Sequence, residues 1–382
     1  MLFSFFGGAR LLALAELVLM LGEGVGRPKD IVKAARADEQ MEVCRKKVSR
    51  INYSAIFLDH QAIQKLNLYD DILWHVEVPV PTAKKNEVLL KLQAATVNPV
   101  DWKIQKGDMR PLLPRRLPFI PVTDVAGEVV DVGPGVKDLA AGDQVVAMLN
   151  SLNGGGLAEY VVAPANMTVK RPSAVSAAEG AGIPIAAGSA LKSLRSIGAK
   201  FDGTGKPLNV LITAASGGVG LYAVQLAKLA NLHVTATCGA GNMDLVRSLG
   251  ADEVMDYKTP EGASLQSPSG KKYDGVVHCT VGVSWSTFRP LLSSRGKVVD
   301  LTPNLSAILT SGLHKVTFAK KSVVPLFLRL NKADLEFLVG LLEEGKLKTV
   351  IDSRFPLSEA SKAWQTSIDG HPTGKIVVEM EG

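Results

Sequence analysis

The chain has 382 residues, is 46% hydrophobic and 21% charged, and carries a net charge of +6. That length buries a real core and suits two domains, and the composition is that of an ordinary globular protein. Most of the positive excess lies in residues 27–50, where eight Lys/Arg face four Asp/Glu; elsewhere the two signs mix as on a solvated surface, which argues against nucleic-acid binding.

Residues 1–24 are apolar but interrupted by Arg10 and Glu16, so no run reaches the roughly 20 residues that span a bilayer. A secretory signal fits badly without a positive start, and one serine is too few for a plastid transit peptide. The apolar residues 11–21 and the basic 27–50 predict peripheral contact with an anionic membrane, weakening as salt rises. The plainer alternatives are an amphipathic helix or a non-native extension. From about Trp74, "HVEVPVP", "EVLLKLQAATV", "DVAGEVVDVGPGVKDLAAGDQVVAM" and "LAEYVVAP" read as strands broken by Gly and Pro turns, a small β-barrel. From Ala177 the period becomes helical. After "DGTGKP" the strands "LNVLITA", "HVTATC", "EVMDY", "DGVVHCT" and "GKVVDLT" alternate with helices, which predicts βαβ units and a parallel sheet. The terminal "GKIVVEM" reads as a strand returning to the first domain. Cys44, Cys238 and Cys279 are odd in number and far apart, which fits a reducing compartment and gives no metal-ligand spacing.

One stretch carries chemistry. In "TAASGGVG", Ala215, Gly217 and Gly220 form A-x-G-x-x-G between a predicted strand and a predicted helix. Glycines there let a pyrophosphate approach the backbone, and the helix N-terminus supplies N–H donors and a positive dipole end. An NAD site places an acid about 20 residues on, for the ribose 2′-hydroxyl. Here "TCGAGN", residues 237–242, has none, which favours NADPH; Tyr257, Lys258 and Arg247 are the candidates for contact with its 2′-phosphate. "GTGK" (203–206) is followed by Pro207 and reads as a turn, not a P-loop.

Together with "NPVDWKIQKG", "PVTDVAGEVVDVG", "GDQVVAM", "GGLAEYVV", "SLGADEVMDYK" and "GHPTGKIVVE", this stretch resembles the zinc-free quinone oxidoreductase branch of the medium-chain dehydrogenase/reductase superfamily, and within it the plant chloroplast-envelope members. The resemblance runs from about residue 75 to the end. It implies an α/β protein with a GroES-like β-barrel catalytic domain and a Rossmann domain, the active site lying between them. The boundaries expected are an atypical extension over 1–72, the catalytic domain over 73–195, the Rossmann domain over 196–330 and a returning segment over 331–382. The resemblance also implies a chloroplast location, as a peripheral protein of the inner envelope, and a monomer or homodimer.

Its residue roles carry over one by one. Asn98 would lie near nicotinamide and substrate, and Ser189 near the nicotinamide amide. Ser216, Gly217, Gly218 and Val219 would hold the pyrophosphate with Ala215 and Gly220, and Gly239 and Tyr257 would lie beside the adenosine phosphate. Thr280 and Thr302 would flank the cofactor. No metal is expected, since Asn98 stands where zinc-dependent relatives carry a Cys. The chain departs from the family in three places. "INYSAIFLDHQAIQKLNLYDDILW" replaces the usual first strand, Trp102 stands where some relatives have Tyr, and Gly241 lacks a basic side chain.

The reaction these readings imply is hydride transfer from NADPH to the C=C bond of an enone, with neutral donors near Asn98 and Ser189 and water supplying the proton. The alternatives are an NADPH quinone reductase, a non-catalytic NADPH-binding protein, or a structural protein of a membrane surface.

Overall fold

The computed structural model describes residues 59–64, 73–108 and 118–380. The apolar and basic tail, and with it the membrane contact expected of it, lies outside the described residues. Among those that are described, no helix is long and apolar enough to cross a membrane.

The β-rich part begins earlier than residue 73. Strand β1 (Asp59–Gln64) pairs antiparallel with β2 (Trp74–Pro79) over six residues. It also meets the 157–159 segment, where the Ile63 N–H donates to Leu157 O at 2.8 Å and Ala62 bridges Ala158. The sequence "DHQAIQ" offers only Ala62 and Ile63 to the core, too few for an alternating signal, yet both are fully buried. The first strand is therefore replaced rather than lost.

Strand β3 (Glu87–Val97) organises the main β-sheet. Its first half pairs with β6 (Tyr160–Pro164), its second half with β15 (Lys375–Glu379), and its other edge with β4 (Asp124–Val132). Beyond β4 lie β5 (Gln144–Met148) and β7 (Thr168–Lys170); beyond β15 lies β14 (Ile351–Pro356). The C-terminal strand thus returns to the first domain, as its sequence predicts. Its register sets Ile376 opposite Val97, and the next step along the ladder brings Lys375 to Asn98.

The second sheet is parallel throughout. In chain order its strands are β8 (Asn209–Ile212), β9 (His233–Cys238), β10 (Glu253–Asp256), β11 (Tyr273–His278), β12 (Leu292–Asp300) and β13 (Ser322–Pro325). Their spatial order is β10-β9-β8-β11-β12-β13. This is the 3-2-1-4-5-6 order of a doubly wound dinucleotide-binding sheet, which binds ligands at the carboxyl ends of β8 and β11, where the order reverses. Its strands are apolar runs because both faces are covered: Val210, Leu211, Ile212, Val276 and Val277 are all fully buried.

Three helices position the site. Helix α1 (Pro99–Lys106) follows β3, α2 (Gly188–Ile197) continues a π-helical segment over Ile183–Ala187, and α3 (Gly218–Leu229) follows β8. π-Helical insertions recur at functional sites because they re-aim backbone groups.

Candidate active site

The loop from β8 into α3 turns in five residues. Ala214 adopts φ +47°, a left-handed conformation that costs a non-glycine residue of order 1 kcal/mol or more. The Ala215 N–H donates to Thr237 O at 2.8 Å and its side chain is fully buried, so Ala215 anchors the loop to β9 rather than facing a ligand. Gly217 caps α3, and its N–H is spent on Ala214 O at 3.0 Å. Gly220 packs directly against the loop backbone: a Cβ there would press on Ala214 O and lie 2.6 Å from Ala215 Cα. Ser216, Gly218 and Val219 then surround the N-terminus of a 12-residue helix, a cradle that fits a dinucleotide pyrophosphate.

At the end of β9 there is room, and residues 237–242 carry no acid, the neighbouring carboxyl being Asp256 of β10 opposite Cys238. A Cβ on Gly241 would meet nothing within 4 Å, and one on Gly239 would lie 3.8 Å from Tyr257 Cε1. Tyr257 is 47% exposed, with Lys258 Nζ 5.8 Å from its ring centroid. Arg247 is instead committed to Asp244 at 2.9 Å, which leaves Lys258 the better placed of the two cations. Across the sheet, Thr302 Oγ1 donates to Thr280 O at 3.1 Å, so these two residues stand together at the ends of β12 and β11. Thr213 and His278, which the sequence did not single out, pair at 3.0 Å at the same sheet edge, and burial holds the His278 imidazole below its usual pKa.

The second half of the site is a buried polar cluster around Asn98. Asn98 caps α1, and its N–H donates to Asp101 Oδ2 at 2.7 Å. Its carboxamide turns the other way: Nδ2 donates to Thr96 O at 3.2 Å and Asp124 Oδ2 at 2.9 Å, while Oδ1 accepts from Lys375 Nζ at 2.5 Å. Asp124 also accepts from the Ile185 N–H at 3.1 Å, which ties it to the π-helical segment. Ser189 lies four residues further along this run, 6% exposed, its carbonyl accepting from Ser193 Oγ at 2.7 Å.

Three ionisable groups are thus enclosed together. Burial pushes the Asp101 carboxyl up to about 8, with the Asp124 charge adding to the rise. Burial also raises Asp124 to about 6, opposed by Lys375, and it lowers the Lys375 ammonium, opposed by both carboxylates. Burial thus favours the neutral form of each of the three groups, while the lysine and the two carboxyls favour one another's charged forms. The expectation of a donor at Asn98 gives way here: both Nδ2 hydrogens are already used on Thr96 O and Asp124 Oδ2, and Lys375 is a further donor in the cluster. The sequence reading missed Asp101, Asp124 and Lys375 although all three lie in the quoted motifs, because spacing does not report burial.

The two halves touch. Gly217 forms a parallel bridge with Gly374, and the Asn242 Nδ2 donates to Thr373 Oγ1 at 3.1 Å. A Cβ on Gly218 would meet Gly374 O and Lys375 Cδ, both at 3.3 Å. The dinucleotide loop is therefore one residue removed from the lysine that holds Asn98. Among the described residues, no three His, Cys, Asp or Glu side chains gather as metal ligands.

Comparisons with known proteins identify the family and the fold. The model of the alcohol dehydrogenase GroES-like domain matches residues 84–173, and that of the zinc-binding dehydrogenase family matches 249–378. The chain is 64% identical over 308 residues to the chloroplast envelope quinone oxidoreductase homolog of Arabidopsis thaliana, covering 80% of this chain and 94% of that one. It is 33% identical over 333 residues to the NADPH-dependent alkenal/one oxidoreductase, chloroplastic, of the same plant, covering 85% of this chain and 78% of that one. The solved quinone oxidoreductase of Coxiella burnetii superposes with a TM-score of 0.77 at 28% identity, over 85% of this chain and 100% of that one. The doubly wound sheet, the glycine cradle and these relatives lead to one conclusion: the chain belongs to the quinone oxidoreductase branch of the medium-chain dehydrogenase/reductase superfamily, a family of nicotinamide-dependent oxidoreductases.

Proposed function

We propose that the protein is a zinc-independent, NADPH-dependent reductase of conjugated carbonyl compounds, adding hydride to the C=C bond of an enone. The observation that carries this reading is the Asn98–Lys375 pair beside the Gly217–Gly374 bridge, a buried hydrogen-bonded polar pair next to the dinucleotide cradle. Bound nicotinamide would supply the hydride. The chain's part is to place the acceptor, exclude water and meet the negative charge that develops on the acceptor oxygen. An enone spreads that charge from carbon to oxygen, where hydrogen-bond donors of the cleft would stabilise it. The relative named an alkenal/one oxidoreductase supports the enone. The relative named a quinone oxidoreductase homolog supports a second reading, reduction of quinones. A chloroplast location, peripheral at the inner envelope, and a monomer or homodimer complete the proposal; the names of the plant relatives support the organelle.

Purified protein with NADPH should saturate medium- or long-chain enones, the product gaining two hydrogens with its carbonyl intact by mass spectrometry. An alcohol product with the double bond retained overturns the enone reading, and reduction of quinones alone selects the second. NADPH binding without oxidation by any acceptor in the panel leaves a non-catalytic binding protein.

The coenzyme preference has its own test. With no acid at the end of β9 and open space at Gly241, NADPH should bind more tightly than NADH by calorimetry. Gly239→Asp places a carboxylate there without a clash and should move the affinity ratio towards NADH by about tenfold or more, roughly 1.4 kcal/mol. Equal or tighter NADH binding by the unmodified protein contradicts the preference.

A further inference from the structure

We infer that Lys375 is a positioning residue that fixes the orientation of the Asn98 carboxamide against the dinucleotide loop, and that turnover depends on this hold. The inference deepens the reductase reading and rests on it for its kinetic consequence alone.

The path of the lysine is set by backbone. Gly374 takes φ +103°, a Cβ there would strike Val350 O, and the Lys375 N–H donates to Val350 O at 2.9 Å. The stem then passes the first residue of α3, where Gly218 lacks the side chain that would crowd its Cδ. The ammonium, on a residue 3% exposed, ends 2.5 Å from Asn98 Oδ1. One side chain so spans three features: the β15 ladder, the dinucleotide cradle and the carboxamide.

The carboxamide can sit only one way. Its oxygen faces an ammonium, and its nitrogen faces a carboxylate and a carbonyl. Flipping it would set N–H against ammonium and oxygen against two oxygens, reversing all three contacts at once. Without the ammonium, Asn98 Oδ1 loses that donor and Asp124 keeps no cation in the cluster. Asp124 then takes up a proton more readily and becomes able to donate, so the second constraint on the amide weakens as well. Lys375 thus acts through Asn98.

The test uses the full chain, labelled with 15N, as wild type, Lys375→Met, Lys375→Arg, Asn98→Ala and the Met/Ala double variant. Loss of a signal in Asn98→Ala assigns the Asn98 side-chain amide. In wild type this amide should exchange slowly with solvent. Lys375→Met should speed its exchange at least tenfold and lower kcat at least tenfold, while the NADPH Kd stays within threefold. Lys375→Arg should keep amide protection and most of kcat, and its amide resonance should move because the donor moves. The double variant should lose no more kcat than Asn98→Ala alone.

Unchanged amide exchange in Lys375→Met overturns the inference, and so do independent, multiplying losses in the double variant. A tenfold weaker NADPH Kd with kcat retained also overturns it, because Lys375 would then anchor the cofactor. If Lys375→Met does not fold, an Arg variant with an unshifted Asn98 amide is the overturning result. If none of the enones or quinones is reduced by wild type with NADPH, the reductase reading fails while the amide measurements still decide the role of Lys375.

Discussion

Replacing Gly220 by alanine should unseat the dinucleotide cradle, with a loss of both stability and NADPH affinity. The added Cβ would lie 2.6 Å from Ala215 Cα and closer still to Ala214 O, and both are backbone atoms that no rotamer change can move. Ala215 is fully buried and bonded to Thr237 O at 2.8 Å, so the strand side of the contact is fixed by β9. The helix must give way instead, and its first turn carries the N–H groups at Gly218 and Val219. Overpacking at such a contact costs about 1–3 kcal/mol, several degrees in melting temperature for a chain of this size. A cradle displaced by a few tenths of an ångström should weaken NADPH at least about tenfold, or roughly 1.4 kcal/mol. Gly340→Ala is the control, since its Cβ would meet nothing within 4 Å on a helix outside the cradle, and it should neither weaken NADPH nor lower the melting temperature. Calorimetric titration and thermal melts of the two variants decide it: wild-type affinity and melting in Gly220→Ala remove the close-packing role.

What could be read from sequence divides along the range of the interactions. The cradle was legible because its signal is local: a strand, Ala215, Gly217 and Gly220, and a helix, all within 20 residues. The parallel sheet was legible for the same reason, each of its strands being an apolar run between turns. The first strand was not, because "DHQAIQ" gives the core only Ala62 and Ile63 and is fixed by pairing with β2 and with the 157–159 segment. Thr280 and Thr302 came from resemblance alone, and the hydrogen bond between them is a product of two strand ends meeting. The polar cluster is the clearest case. Asn98 and Lys375 are 277 residues apart in sequence and meet through the register of β15 on β3. Asp101 looks like a helix-capping acid in any exposed loop; only the packing of β3, β4, β15 and α1 makes it a buried acid.

That burial has a measurable consequence in stability against pH. Asp101 has its pKa raised to about 8 in the folded chain, while an unfolded aspartate titrates near 3.8. Between these values the folded state keeps a proton that the unfolded state has released. Stability therefore falls as pH rises through this interval, by up to about 1.4 kcal/mol per unit, and the fall ends once pH exceeds about 8. Other groups act mainly at lower pH. Asp124 contributes the same sign but only up to about 6. Glu253, depressed to about 2 by hydrogen bonds from Ser267, Ser269 and Thr235 that outweigh its burial, adds stability that is complete once pH passes the unfolded glutamate range. The lowered His278 and His314 add stability with rising pH that is complete just above 6.5. Lys375, lowered by burial, works in the opposite sense to Asp101, adding stability as pH rises above its folded value. In the interval from pH 6.5 to 8 the histidines, Asp124 and Glu253 have completed their contributions, so Asp101 acts there with Lys375 opposing it. Asp101→Asn keeps an oxygen for the Asn98 N–H and has nothing to titrate, so comparing it with wild type isolates the carboxyl together with its coupling to Asp124 and Lys375. Denaturant unfolding at several pH values across the window should show wild type losing about 1–2 kcal/mol relative to Asp101→Asn. Parallel stability curves for the two proteins would mean that Asp101 is already ionised at pH 6.5.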